Sequence, residues 1–333
     1  MEQKSVLIGM SGGVDSSVAA ALLKEQGYHV IGATMRLWTY SDSCNMKHEG
    51  CCAESAVEDA RRVCDKLGID FYVMNFKDMF KDKVVDYFVD EYIHGRTPNP
   101  CIACNKYLKF DALLKKALAM GIDYVATGHY AKIEKGEDGK YILRASEAVK
   151  KDQSYVLYNF TQEQLAHTLM PLGGYNKDWV RQKAEELGLG VAHKPDSQEI
   201  CFVEDDDYAK FITDYSGYKP KEGDILDVNG NVIGKHRGLI YYTIGQRKGI
   251  GAYGRPMFVM KIDAENNTIT LGEKGMEFSN ELTAYDVNFV SGEFPKENML
   301  ITAKVRYQAP PAAAMLCPQK DGTVKLMFPE PQR

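Results

Sequence analysis

Residues 6–17 read Val-Leu-Ile-Gly-Met-Ser-Gly-Gly-Val-Asp-Ser-Ser, and this stretch decides the fold predicted for the first half of the chain. Its apolar start predicts a buried strand, and the two glycines allow a tight turn that brings backbone N–H groups to an anion with no Cβ in the way. Ser16 and Ser17 stand at the start of the next helix, where free N–H groups and the helix dipole favour phosphate. Asp15 fits such a loop where a Mg²⁺ ion bridges its carboxylate to pyrophosphate.

The loop differs from the two commonest phosphate-binding motifs. It has neither the Gly-Lys-Ser/Thr ending of a Walker A loop nor the G-x-G-x-x-G of dinucleotide-binding proteins. The simpler alternative is a glycine-rich turn with a serine cap, which many strand-to-helix connections contain. Because the whole hexapeptide Ser-Gly-Gly-x-Asp-Ser lies between the first strand and the first helix, the pattern favours a phosphate site.

Short apolar runs alternate with helical periodicities along the first 200 residues. Alternation of this kind predicts an α/β fold with a doubly wound parallel sheet. The predicted strands are residues 5–10, 29–35, 70–76 and 124–127. The predicted helices are residues 17–26, 52–67, 80–94, 105–120, 162–168, 177–187 and 206–215.

The character of the sequence changes near Gly217. Short alternating segments separated by Asn-Gly, Asn-Asn and Asp-Gly pairs predict hairpins and small barrels. We therefore predict three domains: a nucleotide-binding domain at 1–216, a β-rich module at 217–276 and a second β-rich module at 277–333. Residues 228–262 contain no Asp or Glu, whereas six basic residues and several tyrosines lie there. This composition is typical of an RNA-binding surface, although a small hairpin domain whose acids lie elsewhere would look the same.

Composition narrows the class of protein. The formal net charge of −5 argues against a protein that coats nucleic acid non-specifically. The first residues resemble neither a signal peptide nor a membrane span, so we expect a cytoplasmic protein with no membrane partner. Eight cysteines in such a chain are expected to be thiols or ligands rather than structural disulfides.

Two cysteines are candidates for sulfur chemistry. Cys104 follows Cys101 in a C-x-x-C pair at the start of a predicted helix, where the dipole lowers the pKa of a thiol. Cys201 follows a polar turn, and two distant thiols can meet in a fold and form a transient disulfide. The alternatives are half of a zinc site completed by Cys44, His48, Cys51 or Cys52, and an iron–sulfur site formed by Cys101, Cys104 and Cys201. Cys64 lies on the apolar stripe of its helix and is predicted to be a core residue.

Residues 11–16 resemble the SGGxDS signature of the PP-loop ATP pyrophosphatases, which are adenine nucleotide alpha hydrolase-like proteins. The resemblance implies cleavage of ATP to AMP and pyrophosphate, with AMP transiently attached to an oxygen of the acceptor. Five further segments resemble the tRNA-specific 2-thiouridylases, the MnmA family. They are residues 95–106 (Gly-Arg-Thr-Pro-Asn-Pro-Cys-Ile-Ala-Cys-Asn-Lys), 126–130 (Ala-Thr-Gly-His-Tyr), 151–155 (Lys-Asp-Gln-Ser-Tyr), 196–202 (Asp-Ser-Gln-Glu-Ile-Cys-Phe) and 236–249.

The resemblance implies a site and a reaction. The ATP site would comprise Gly9, Met10, Ser11, Gly12, Gly13, Val14, Asp15, Ser16, Met35 and Gly128. The tRNA contacts would comprise Asn99, Pro100, Cys101, His129, Lys151, Asp152, Gln153, Arg306 and Tyr307, with residues 99–101 at a flipped-out base. The wobble uridine of Lys, Glu and Gln tRNAs would be adenylated at its C2 oxygen and attacked by a Cys201 persulfide. Cys104 would then release the sulfur and leave a Cys104–Cys201 disulfide.

The same resemblance implies partners and shows two departures. A cysteine desulfurase or a sulfur-relay protein would supply the sulfur, and a cellular reductant would reopen the disulfide. Many members carry Asp where this chain has Cys101, so a [4Fe–4S] cluster on Cys101, Cys104 and Cys201 is an alternative sulfur carrier. Members also continue beyond a segment like residues 328–333 into a final strand, so the last module is expected to be incomplete. The rival functions are another PP-loop synthetase or amidotransferase, a non-catalytic tRNA-binding protein, and a metal-stabilised structural protein.

Overall fold

The computed structural model describes residues 3–38, 54–196, 200–203 and 206–333. The chain forms two compact units. The first comprises Met1–Val85, Pro100–Asp206 and Asn288–Glu293, and the second comprises Asp86–Asn99, Asp207–Val287 and Phe294–Arg333. The three-domain division at 216/217 and 276/277 stays a prediction. None of the helices in the described parts of the chain combines the length and the apolar composition that a bilayer crossing needs.

A five-stranded parallel sheet forms the centre of the first unit. The described strands of this unit are, in chain order, β1 (Ser5–Gly9), β2 (His29–Arg36), β3 (Asp70–Asn75), β4 (Tyr124–Ala126), β5 (Ala131–Lys135), β6 (Tyr141–Ala145) and β7 (Thr168–Leu169). The sheet has the order β3-β2-β1-β4-β7, and every neighbouring pair is parallel. The predicted doubly wound α/β fold is confirmed. β5 and β6 form a separate antiparallel hairpin that the sequence analysis missed.

The apolar start of the opening stretch is fully enclosed by this sheet. Val6, Leu7 and Ile8 of β1 are 0% exposed, as expected for a central parallel strand covered on both faces. Each such side chain contributes roughly 1.5–3 kcal/mol through burial. Cys64 is also 0% exposed within this core, and burial raises the pKa of its thiol to about 12. Its predicted role as a core residue is confirmed.

The described helices surround the sheet or belong to the second unit. They are α1 (Val14–Glu25), α2 (Glu54–Leu67), α3 (Lys77–Phe80), α4 (Tyr87–Ile93), α5 (Pro100–Ala103), α6 (Leu113–Ala119), α7 (Gln162–Ala166), α8 (Lys177–Glu186) and α9 (Tyr208–Ser216). Wider π-helical turns at Lys81–Asp86 and Cys104–Ala112 join α3 to α4 and α5 to α6. The predicted helix at 162–168 is too long, because Thr168 pairs with Val125 as the first residue of β7.

The second unit contains two four-stranded sheets. The strands β8 (Gly223–Leu226), β9 (Val232–His236), β10 (Met257–Asp263) and β11 (Thr268–Glu273) form a sheet of order β10-β11-β8-β9. The strands β12 (Ser279–Ala284), β13 (Met299–Ala303), β14 (Ala312–Pro318) and β15 (Val324–Gln332) form a sheet of order β12-β15-β14-β13. The predicted β-rich character after residue 217 is confirmed.

Asp123 joins the beginnings of the two central strands. Its carboxylate accepts hydrogen bonds from the Ser5 backbone N–H at 2.9 Å and the Ser5 hydroxyl at 3.0 Å, and Lys4 Nζ lies 2.5 Å away. The hydrogen bonds from Lys4 and from the Ser5 backbone lower the pKa of Asp123 to about 2. The unfolded carboxyl group titrates near pH 3.9, so its contribution to stability is complete above that pH and disappears as the pH falls toward 2.

We expect Asp123→Asn to lower the free energy of unfolding at pH 7. The difference from the wild type should shrink as the pH falls from about 5 to about 3, because the wild-type carboxylate loses its advantage in that window. Urea unfolding of both chains across the pH series measures this difference. Asp111→Asn is the matched control, since Asp111 pairs with Lys115 one helical turn away on the protein surface. A gap that stays constant between pH 5 and pH 3 would contradict the assignment.

Candidate active site

The predicted ATP loop leaves the sheet where the strand order reverses. From β1 the chain runs outward to β2 and β3, and it then returns to β4 on the other side of β1. Ile8 of β1 is paired with Ala126 of β4, so the segments that follow Gly9 and Ala126 leave the same edge side by side. In open parallel sheets, ligands bind beyond the carboxyl ends of the strands at this kind of switch point.

The turn between β1 and α1 requires glycine. Gly12 has a φ of +69°, and a Cβ at this position would lie 2.2 Å from the carbonyl oxygen of Ala56. The Ser11 backbone N–H donates to Ser16 Oγ at 3.2 Å, and the Ser16 hydroxyl donates to the carbonyl oxygen of Gly13 at 3.2 Å. These bonds fix a loop that curls over the amino end of α1, where N–H groups attract an anion.

Gly128 follows β4 and lies directly against this loop. A Cβ on Gly128 would be 2.7 Å from the backbone carbon of Asp15 and 2.7 Å from the backbone nitrogen of Ser16. Gly128 is one of the ATP-site residues that the family resemblance implied, and the structure brings it into contact with the loop. No residue with a side chain fits here without moving the backbone of α1.

The other predicted ATP-site residues line the same sheet edge. Met10 is buried, and its N–H donates to the carbonyl oxygen of Ala33 on β2 at 2.8 Å. Val14 is buried at the start of α1, and Met35 is half-buried on β2. The fold therefore places Met35 on the strand next to β1, as the predicted site requires.

The Asp15 carboxylate is held by two residues that the sequence analysis did not single out. Tyr130 donates its hydroxyl to Asp15 Oδ1 at 2.7 Å, and Lys177 Nζ lies 2.8 Å from both Oδ1 and Oδ2. Burial, followed by the negative charge of Asp15, raises the pKa of the Tyr130 hydroxyl, so it stays a protonated donor. Neither contact was predictable, because the partners lie 115 and 162 positions along the chain from Asp15.

Asp196 is a second carboxylate in the same network. It contacts Lys177 Nζ at 2.7 Å, Lys151 Nζ at 2.7 Å and Arg181 Nη2 at 3.4 Å. Burial opposes its ionisation, but hydrogen bonds from Lys151 and Lys177 outweigh that effect and lower the pKa of Asp196. Lys177 thus bridges Asp15 and Asp196, and three cations of the described chain contact Asp196.

The segment 151–153, which was predicted to contact tRNA, also stabilises the site from within. Lys151 pairs with Asp196, and Asp152 Oδ2 accepts from the Ser154 hydroxyl at 2.7 Å. Gln153 Oε1 accepts from the Tyr130 backbone N–H at 3.0 Å. All three residues are half-buried, so the turn is more than the solvated segment that its polar residues indicate.

His129 lies three residues after the end of β4 and contacts two other side chains. Its Nδ1 is 2.7 Å from the Thr127 hydroxyl, and its ring centre is 5.8 Å from that of Phe110. Burial, with a smaller contribution from the Lys109 charge, holds the pKa of His129 well below its usual value. The imidazole is therefore neutral at pH 7 and would offer a hydrogen bond, rather than a positive charge, to an RNA group.

Cys104 does not begin a helix, which corrects the sequence analysis. Pro100 starts α5, because its fixed φ and missing N–H suit the first helical position, and Cys104 follows one turn later in the π-helical segment. Cys104 is buried, whereas Cys101 in the first turn is exposed. The helix dipole consequently acts most directly on Cys101, and Asn99 lies half-buried just before the helix.

Cys201 is half-buried beside an aromatic anchor. The next residue, Phe202, is 1% exposed, and its ring centre lies 5.6 Å from that of Phe80 and 6.4 Å from that of Trp38. This packing ties Cys201, itself half-buried, to the segment that follows β2. Residues 197–199 of the same motif and Cys44, His48, Cys51 and Cys52 lie outside the described residues.

In the second unit, four of the six basic residues in the acid-free segment 228–262 contact an acid or an aromatic ring. Lys235 pairs with Asp224, Arg255 with Glu273 and Lys261 with Asp263, all acids outside residues 228–262. Arg237 stacks on Tyr241 at 4.0 Å.

Arg247 and Lys248 differ from these residues. Both are exposed and form no ion pair within the described part of the chain. Their loop is held by Gln246, which accepts from the Thr243 N–H at 2.9 Å and donates to the Lys248 carbonyl oxygen at 2.9 Å.

Arg306 and Tyr307 lie in the turn between β13 and β14. β13 ends at Ala303 and β14 begins at Ala312, so the two residues belong to neither strand. Both side chains are exposed, and Lys304 Nζ lies 5.6 Å from the ring centre of Tyr307. A cation–aromatic pair on a turn is a surface that an RNA phosphate and base can contact.

Three family models match successive parts of the chain. They are the tRNA methyl transferase HUP domain at residues 4–205, the tRNA methyl transferase PRC-barrel domain at 209–273 and the aminomethyltransferase beta-barrel domain at 279–333. A tRNA-specific 2-thiouridylase MnmA of Acetivibrio thermocellus is 57% identical over 336 residues, covering 100% of this chain and 94% of that protein. The chain belongs to the MnmA family. The resemblance stated from the motifs is confirmed.

A second relative agrees with this assignment, and a solved structure is more distant. The tRNA-specific 2-thiouridylase MnmA of Clostridioides difficile is 58% identical over 332 residues, covering 99% of this chain and 92% of that protein. A crystal structure of a 4-thiouridine synthetase–RNA complex with bound ATP aligns with a TM-score of 0.38 and 18% identity, over 60% of this chain and 45% of that one.

For this MnmA-family chain, the iron–sulfur alternative lacks a ligand set. Within residues 3–38, 54–196, 200–203 and 206–333, no group of three or more His, Cys, Asp or Glu side chains is arranged to hold a metal ion. Cys101, Cys104 and Cys201 all belong to these ranges, and they do not form such a group. An iron–sulfur cluster therefore does not fit the arrangement of the described residues.

We expect Gly128→Ala to weaken ATP binding about tenfold or more, because its methyl group must displace the backbone of Asp15 and Ser16. Equilibrium titration with a non-hydrolysable ATP analogue and Mg²⁺ measures the loss. Gly174→Ala is the matched control, since a Cβ there would meet nothing within 4 Å. Equal affinities for the two variants would show that the contact at Gly128 is irrelevant to the nucleotide.

Proposed function

We propose that this protein catalyses the ATP-dependent 2-thiolation of the wobble uridine of tRNA. The observation that supports it most directly is the closed loop at the switch point, where Gly128 seals a Ser-Gly-Gly-x-Asp-Ser turn against α1. Relatives at 57% and 58% identity carry the name tRNA-specific 2-thiouridylase. Together they support ATP, bound with Mg²⁺ as the co-substrate, and tRNA as the acceptor.

The first step would be adenylation. The C2 oxygen of uridine attacks the α-phosphorus of ATP, and pyrophosphate leaves with the electron pair of the broken P–O bond. Backbone N–H groups at the start of α1 would bind the phosphates, and Asp15 would orient the Mg²⁺ that accompanies them. The uridine oxygen then becomes part of AMP, which is a good leaving group.

The second step would be sulfur transfer. The terminal sulfur of a Cys201 persulfide attacks C2 and forms the new C–S bond, and AMP departs. The Cys104 thiolate attacks Cys201 Sγ, so the S–S bond of the persulfide breaks and its electron pair stays with the sulfur on the base. The products are 2-thiouridine, AMP and a Cys104–Cys201 disulfide, which a two-electron cellular reductant must reduce. A cysteine desulfurase or relay protein would reload Cys201, and we place these reactions in the cytoplasm.

The exposure of the two thiols supports this division of roles. Cys201 is partly accessible, as a residue that receives sulfur from another protein must be, while Cys104 is buried. Asn99, Pro100 and Cys101 form the start of α5, where Cys101 is exposed and Asn99 half-buried, and there they would meet the flipped-out base. His129 and the turn 151–153 would add further tRNA contacts, as would Arg306 and Tyr307.

We expect Cys104→Ser and Cys201→Ser each to lower the rate of 2-thiouridine formation by about 10³-fold or more, because each removes a reacting sulfur. Cys101→Ser should stay within about tenfold of the wild type, since it loses at most one contact to the base. Anaerobic thiolation with ATP and a persulfide donor, followed by nucleoside analysis, measures all three.

Cys317→Ser is the matched control, because Cys317 lies half-buried on β14 in the second unit. Full activity of Cys104→Ser would contradict its role in sulfur release. A PP-loop synthetase of another kind would release pyrophosphate without needing either thiol. A non-catalytic tRNA-binding protein would bind tRNA but release no pyrophosphate.

We expect Arg247→Ala/Lys248→Ala to weaken tRNA binding equally for all tRNA sequences. The slope of log Kd against log salt concentration should fall by about two, one for each lost phosphate contact. Filter binding across a salt series measures the slope. Lys235→Ala is the control, because its ammonium is already paired with Asp224 at 2.6 Å. An unchanged slope in the double variant would show that this loop does not contact tRNA phosphates.

A further inference from the structure

Lys177 occupies a central position in the ion network. Its ammonium lies 2.8 Å from each oxygen of Asp15 and 2.7 Å from Asp196 Oδ1. An ammonium has three N–H donors, so these three contacts use its full capacity. The side chain is only 11% exposed, which makes its pairing stronger than that of a surface lysine.

The backbone of Lys177 is anchored independently of these contacts. Lys177 is the first residue of α8, and the preceding Asn176 caps the helix by accepting from the Trp179 N–H at 2.8 Å. Tyr175 stacks on Trp179 with ring centres 3.9 Å apart, and Val180 is 0% exposed. The helix therefore delivers the ammonium to a fixed place beside α1.

Asp15 depends on Lys177 more than Asp196 does. Without the lysine, Asp196 keeps Lys151 and Arg181, whereas among the described residues Asp15 keeps only the neutral hydroxyl of Tyr130. A carboxylate left unbalanced in a loop that takes a triphosphate would repel it and would be free to rotate. The ammonium prevents both effects.

We propose that Lys177 is a positioning residue of the ATP site, which holds the Asp15 carboxylate in the orientation that Mg²⁺–ATP requires and balances its charge. The proposal rests on the ATP site of the proposed function. It names a residue that acts through Asp15 and need not touch the nucleotide.

The test is a double-mutant cycle in nucleotide binding, with the full chain and without tRNA. The variants are Asp15→Asn, Lys177→Met, Lys177→Gln and Asp15→Asn/Lys177→Met, and the probe is a non-hydrolysable ATP analogue titrated with and without Mg²⁺. We expect each single variant to weaken Mg²⁺-dependent binding about tenfold or more, and the double variant to be no weaker than Asp15→Asn alone. Lys183→Met is the matched control on the same helix, because Lys183 pairs with Glu25 at 2.9 Å.

The double-mutant cycle distinguishes a lysine that acts through Asp15 from one that contacts the nucleotide or only stabilises the fold. Losses that multiply in the double variant would overturn the proposal, because Lys177 would then act on the nucleotide directly. Unchanged binding by folded Lys177→Met and Lys177→Gln chains would overturn it as well and would make the lysine a stability residue. Circular dichroism establishes that each variant is folded, and the glutamine variant serves where the methionine variant does not fold. A wild type that fails to bind the analogue would contradict the proposed function itself.

Discussion

The candidate site depends on a close backbone approach between two turns that leave neighbouring strands. Gly128 packs so tightly on the start of α1 that a single Cβ would come within 2.7 Å of the Asp15 and Ser16 backbones. On the other side of the loop, Gly12 meets the carbonyl of Ala56 even more closely. The loop is therefore clamped between two glycine contacts, and its N–H groups keep a fixed direction before any ligand arrives.

Electrostatics explains why a carboxylate is tolerated at such an anion site. Asp15 is paired with Lys177, and Lys177 in turn shares Asp196 with two more cations. Lys194 adds a further positive charge beside the loop, where its ammonium donates to the Gly12 carbonyl oxygen at 3.1 Å and pairs with Asp59 at 2.8 Å. Because cations outnumber carboxylates among the described residues of this network, the site can hold an aspartate for Mg²⁺ and still attract a polyanion.

The fold could be predicted from the sequence where a contiguous stretch carries the pattern. The site could be predicted only in part, because several of its contacts join residues that are distant in sequence. Strand β1 and the loop after it are contiguous in sequence, so periodicity and glycine placement sufficed. The two-residue strand β7 is too short to show any period, and its place in the sheet comes from pairing with β4. The helix start was placed at Cys104 rather than at Pro100, where the fixed φ of proline suits the first helical position. Lys177 carried no signal, since a lysine at the start of an amphipathic helix is ordinary until tertiary packing brings it to Asp15.

The network also connects the turn 151–153 to the ATP loop by two routes. Gln153 bonds to the backbone of Tyr130, whose hydroxyl bonds to Asp15, and Lys151 reaches Asp15 through Asp196 and Lys177. A displacement of this turn must therefore be absorbed by groups that also fix the Asp15 carboxylate. If tRNA contacts the turn, as the family resemblance implies, its binding energy is available to adjust the ATP site. By linkage, nucleotide binding would then affect tRNA affinity by the same factor.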